Sequence, residues 1–106
     1  MLITTANELP GYQIEEVYGE VFGLTVRSRH VGSQIGAGLK SLVGGELQGM
    51  TRMLAEGRQQ AIERLVQEAE GKGANAIVAM RFDSSEFMDS ATEICAYGTA
   101  VRVSKA

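Results

Sequence analysis

Two segments of this chain read as strands that have no wet side. Residues 74–82 (Ala-Asn-Ala-Ile-Val-Ala-Met-Arg-Phe) put apolar groups on both faces. So does the stretch from Thr92 to Val103, where Ile94, Ala96, Gly98 and Ala100 alternate with Cys95, Tyr97, Thr99 and Val101. A strand with one face in water normally alternates apolar with polar residues. A sheet that contains these two segments therefore needs cover on both faces, and 106 residues supply the material of a single domain.

The rest of the chain shows how much cover there is. Residues 1–5 read as a short edge strand, followed by a turn at Leu9-Pro10-Gly11. From Gln13 to His30 the pattern has a period of two, with Tyr18, Phe22, Leu24 and Val26 on one face. Val17, Gly19, Val21, Gly23 and Thr25 fall on the other, and the two glycines leave gaps for a bulge or a neighbouring backbone. Ser33 is placed to cap a short helix carrying Ile35, Leu39, Leu42 and Val43, stopped by Gly44-Gly45. A longer helix runs from Glu46 to Glu70 and ends at Gly71-Lys72-Gly73. Its stripe is Leu47, Met50, Leu54, Ala61, Ile62, Leu65 and Ala69. A polar turn from Asp83 to Ser90 joins the last two strands. The order strand, strand, helix, helix, strand, strand predicts one α+β domain over residues 1–106, with helices on one face of a mainly antiparallel sheet. Nothing is left for the other face. A contiguous apolar patch above a few hundred Å² is unusual on a monomer, so the expectation is a homo-oligomer.

Composition removes several classes of function. A formal net charge of −3 lacks the basic excess of nucleic-acid binders. A single cysteine excludes an intrachain disulfide framework and fits a reducing compartment. No stretch approaches the roughly 18 apolar residues of a membrane helix, and Met1-Leu2-Ile3-Thr4-Thr5 does not open a signal peptide. A cytoplasmic domain without nucleic-acid or membrane partners is expected. Six of the 13 glycines lie between Gly32 and Gly49, which asks for tight backbone geometry there.

Few residues suggest chemistry. Gly36-Ala37-Gly38-Leu39-Lys40-Ser41 approaches a phosphate loop, but Leu39 stands where glycine must precede Lys-Ser. Cys95 and His30 are the metal candidates, yet a soft-metal centre needs three or four such ligands. Only an oligomer that gathers several copies of Cys95 supplies them; otherwise Cys95 is a small apolar thiol in a strand. Arg58 falls near the middle of the helix stripe, where a guanidinium is costly unless paired. Its readings are a partner such as Glu46, Asp83 or Glu93, a carboxylate or phosphate ligand, or a snorkelling side chain. Arg27, Arg29 and His30 cluster at a strand end, which suits solvent better than an anion. With one histidine no catalytic constellation emerges, and no enzymatic activity is expected.

Three stretches carry a family likeness. They are Val-Gly-Gly-Glu at 43–46 with Arg58 and Ala61 downstream, Gly73-Ala74-Asn75-Ala76-Ile77-Val78, and Tyr97-Gly98-Thr99-Ala100-Val101. Together with Thr4-Thr5 and the Pro-Gly-Tyr turn, they resemble the YbjQ-like family of small bacterial proteins, whose members often carry a heavy-metal-binding label. The resemblance implies a dodecin-like β-α-β-β core, a ring-shaped homopentamer, and a heavy metal ion as the cofactor to look for. It gives structural or interface roles to Gly44, Gly45, Arg58, Gly73, Tyr97 and Gly98, and brings over no ligand residue. Met50 stands where many relatives look aromatic, so a pocket lined by that aromatic would be reshaped here. Five equivalent thiols on an axis do not suit a tetrahedral ion, which leaves sites between neighbouring copies. The alternative is a module that binds a small anionic or flat ligand between subunits, through Arg58 or the Arg27–Arg29 pair.

Overall fold

The computed structural model describes residues 1–28, 48–87 and 91–106. Their elements are β1 (Leu2–Ile3), β2 (Tyr12–Ser28), α1 (Gln48–Gly71), β3 (Ala76–Phe87) and β4 (Ala91–Lys105). The expected short helix, with Gly44 and Gly45, lies outside the described residues, as does His30. The sheet order is β1-β3-β4-β2. β4 runs antiparallel to both of its neighbours, and β1 pairs parallel with β3. β2 and β3 are thus parallel with β4 inserted between them, and α1 makes the crossover that parallel strands require. The α+β class and the β-α-β-β order match the sequence reading.

Both glycines of β2 act as expected. Gly19 adopts φ +101° at a register shift between Val17 and Gly19, the extra residue of a bulge. That bulge corrects the sequence reading: Val17 pairs with Val101 and shares a face with Phe22, while Tyr18 turns to the helix side. At Gly23 a Cβ would lie 2.2 Å from the Ala61 carbonyl oxygen and 2.5 Å from the Leu65 nitrogen. The backbone of α1 rests directly on this strand.

The helix face needs a second correction. The residues that α1 buries are Met53, Gly57, Ala61, Leu65 and Ala69, at strict four-residue spacing. Leu54 is exposed and Met50 half-buried. Gly57 took no part in an apolar count, yet a Cβ there would meet Ile94 Cδ1 at 2.6 Å. Counting side chains shifted the stripe toward Leu54 and Arg58, whereas the helix approaches through its small residues. Arg58 is therefore exposed, with its guanidinium 4.8 Å from the Phe82 ring centroid.

Two apolar clusters result. Between helix and sheet lie Val21, Ala61, Leu65, Ala69, Ile77, Ile94, Ala96 and Ala100. On the other face Ala76, Val78, Val101 and Val103 form a smaller cluster under Leu9 and Tyr12. The turn at 9–12, closed by Tyr12 N–H to the Leu9 carbonyl at 3.0 Å with Gly11 at φ +86°, thus covers one end of the second face. The expectation that nothing covers that face holds only for its other half. Residues Asp83–Glu86, expected as a turn, continue β3.

Candidate functional site

The family-like segment 73–78 proves to be a joint. Gly73 ends α1 at φ +87°, and its N–H donates to the Glu70 carbonyl at 3.0 Å. The Arg102 guanidinium donates to the Gly73 carbonyl at 2.9 Å. Asn75, whose part the sequence does not reveal, clamps β3 to β4: its Nδ2 donates to the Val103 carbonyl at 2.9 Å, and its Oδ1 accepts the Val103 N–H at 2.8 Å. Gly98 faces the β3 irregularity at Ala79, where φ is +55°, and a Cβ there would come within 2.8 Å of Ile77. Gly73 and Gly98 hold backbone geometry rather than a ligand.

Three features remain that could meet another molecule. The first is the open half of the sheet. Cross-strand rows place Phe22 beside Tyr97 and Arg81, Leu24 beside Cys95 and Asp83, and Val26 beside Glu93 and Ser85. Phe22, Leu24, Val26 and Tyr97 are 46%, 40%, 58% and 39% exposed. Ile14 and Val17 are exposed on the same face of β2 beyond Glu20, beside Val103 and Val101. Cys95 sits half-buried in the middle. Burial first, and then the charges of Glu93, Asp83 and Glu20, push its thiol pKa up.

That arrangement was tested against a heavy-metal centre. Such an ion needs several soft or imidazole ligands and a deprotonated thiol. Among the described residues no group of three His, Cys, Asp or Glu is placed to hold an ion, and the surroundings of Cys95 oppose its thiolate. The described residues of one chain do not fit the metal.

The second feature is a cleft of about 850 Å³ between the first half of α1 and the far ends of β3 and β4. Met50, Leu54 and Arg58 line one wall, with Ser84, Thr92 and Ile94 opposite. Of the partners expected for Arg58 from the sequence, Glu46 lies outside the described residues, and the contact seen is with the Phe82 ring. Arg27 belongs to a separate polar knot; Arg29 and His30, which the sequence groups with it, lie outside the described residues. The Arg27 Nη2 donates to Gln60 Oε1 at 3.0 Å, and Thr25 Oγ1 donates to the same oxygen at 2.7 Å.

The third is the outer edge of β2, where side chains of α1 and of Lys72 just past its end meet strand backbone. Glu68 accepts the Phe22 N–H at 3.3 Å. Lys72 donates to the Glu20 carbonyl at 3.2 Å, and Arg64 donates to the Leu24 carbonyl. No helix among the described residues is long and apolar enough to cross a membrane.

Comparison with known proteins extends over the whole chain. A family model described as "Putative heavy-metal-binding" (YbjQ) matches residues 1–104. A UPF0145 protein of Streptomyces coelicolor is 65% identical over 99% of this chain and 99% of its own length. One from Mycobacteroides abscessus is 56% identical over 97% and 96%, and UPF0145 protein YjfJ of Lactococcus lactis is 55% identical over 99% and 96%. Among solved structures, a DUF74-family protein of unknown function from Pediococcus pentosaceus superposes with a TM-score of 0.60 at 18% identity, covering 98% of both chains. At that identity it supports the fold.

Proposed function

We propose, from the premise that this chain belongs to the YbjQ family of UPF0145 proteins, that it works as a homo-oligomer joined through the open half of its sheet. The observation that carries this reading is the exposed row Phe22, Leu24 and Val26 with Tyr97 opposite. With Ile14 and Val17 the row presents roughly 500 Å² of apolar surface, at the upper end of what a monomer leaves bare. That is more than half of the about 800 Å² that each partner of a standard interface contributes. Where this face meets a different patch of the next copy and the rotation closes, the contact makes a ring, and the family likeness sets the expected number at five. In a cytoplasmic setting Cys95 stays a free thiol inside that contact.

A heavy-metal centre, as the family description suggests, then has to be shared. Cys95 of one copy would be joined by different residues of its neighbour, which supply the ligands that a single chain lacks. Sedimentation equilibrium tests the assembly: the expected mass is a multiple of 11.4 kDa, and Leu24→Glu shifts it to one chain. A stable single-chain species of the unaltered protein overturns the reading. Titration with Cd²⁺, followed by native mass measurement, tests the shared centre. Binding that vanishes in Cys95→Ser supports it, and no binding retires the metal.

The cleft beneath Arg58 favours a second reading, a site for a small flat or anionic molecule. An apolar wall with one guanidinium, a few hydroxyls and the Glu86 carboxylate at the rim suits a flat molecule whose carboxylate or phosphate meets Arg58 and whose other end stays clear of Glu86. Native mass spectrometry of the purified protein would show an adduct that Arg58→Met loses.

A further inference from the structure

Among the described residues β2 is an edge strand, and a long edge of this kind is a template for another strand. Its middle is not bare. Glu20, Phe22 and Leu24 are alternate residues, and the three backbone groups that meet helix side chains all turn away from β4. The side chains that reach them are Arg64 and Glu68 of α1, four apart on one face, and Lys72 just past its end, four residues further on. The two spacings agree. Four residues of strand span about 13 Å, and eight residues of helix rise about 12 Å. Because α1 lies against Gly23 backbone to backbone, each long side chain reaches over the strand to a partner two residues further along. A cation meets each carbonyl and a carboxylate meets the N–H, so each contact is charge-assisted.

We propose that Arg64, Glu68 and Lys72 close the Glu20–Leu24 stretch of the β2 edge to strand addition by a second copy of this chain, and so direct self-association onto the open sheet face. The inference rests on the proposed self-association for its second half only. A copy adding a strand here would have to displace three charged contacts, whereas the row of Phe22, Leu24 and Tyr97 offers apolar surface along β2, with Arg81, Asp83 and Glu93 to its side. An edge-to-edge contact that repeats head to tail also propagates without limit if its rotation fails to close. Guarding the edge keeps that route shut.

The test is the triple variant Arg64→Ala, Glu68→Ala and Lys72→Ala, compared with the unaltered full chain. Alanine is the best helix former at the two positions within α1, and far-UV circular dichroism checks that the fold survives. The expected result is a variant whose mass keeps growing with concentration beyond that of the unaltered protein. Its Phe22 amide should exchange faster than in the unaltered protein when dilute, then slow by about tenfold as the larger species form. A variant with unchanged mass and concentration-independent exchange at Phe22 and Leu24 overturns the guard. Should the variant fail to fold, the unaltered protein decides the matter. A mass for the unaltered protein that stops growing with concentration supports the guard, and a mass that grows without limit overturns it. A single-chain mass for the unaltered protein, with growth of the triple variant, sinks the face assembly but supports the guard.

Discussion

Gly23→Ala is the smallest change that probes how the helix sits on the sheet. The added methyl would lie 2.2 Å from the Ala61 carbonyl oxygen, 2.5 Å from the Leu65 nitrogen and 3.0 Å from the Arg64 carbonyl carbon. All three are helix backbone, so no side chain can swing aside, and α1 must move outward by roughly 1 Å to restore ordinary contact. Overpacking in a filled core costs about 1–3 kcal/mol, and a clash with rigid backbone belongs at the upper end. For a domain of this size each kcal/mol shifts Tm by roughly 4–8 °C, which places the expected fall at about 10–20 °C. Gly71→Ala is the control, because a Cβ there meets nothing within 4 Å. Its effect should be neutral or a gain of up to about 1 kcal/mol through the unfolded chain. Thermal unfolding by far-UV circular dichroism, repeated at several concentrations, separates subunit stability from association. If Gly23→Ala melts within two or so degrees of the unaltered protein, the backbone contact on which the edge contacts of α1 depend is not there.

Other consequences follow from the same structure. Asn75→Ala strips the partners from both backbone groups of Val103 and should cost about 1–3 kcal/mol, read as a lower denaturant midpoint with the slope unchanged. Because burial and nearby carboxylates raise the Cys95 pKa, iodoacetamide should react more slowly than with a free cysteine peptide near pH 8, and the rate should keep rising above the ordinary thiol range. The same shift makes the folded state lose stability as pH rises past the unfolded thiol pKa and through the folded one. Cys95→Ser should remove that slope. Arg58→Met removes an exposed cation–π contact with Phe82 and should lower stability by only about 0.5–1 kcal/mol. A loss of several kcal/mol would restore the buried-pair reading that the exposed guanidinium replaces.

Much of this was legible in the residues, and the exceptions have physical causes. The period-two run of β2 placed Phe22, Leu24 and Val26 on one face, and glycine's missing side chain foretold both the bulge at Gly19 and the close approach at Gly23. The pattern could not say where the bulge switches faces, so Tyr18 was assigned to the wrong side. In α1 the apolar count favoured Leu54 over Met53 and Gly57, because close approach through small residues buries little side chain and leaves a weak signature. Asp83–Glu86 read as a turn for their polarity, although a strand near the rim of a sheet tolerates polar side chains. Asn75 stands in a family-like segment that does not reveal its clamp on Val103, and Gln60 and the Arg64–Glu68–Lys72 row carry no motif, since their partners are groups that only the fold brings near. Gly73 and Gly98 owe their places in the family-like segments to chain geometry, and the described part of the chain gathers no ligand set around Cys95.

Sedimentation equilibrium of the unaltered protein, at tens of micromolar and below, bears most directly on the open face as the place where copies meet. A mass that is a whole-number multiple of 11.4 kDa, falling to one chain when Leu24 is replaced by glutamate, is the result this structure predicts. A monodisperse single chain across the range, with Phe22, Leu24 and Tyr97 left in water, would contradict it.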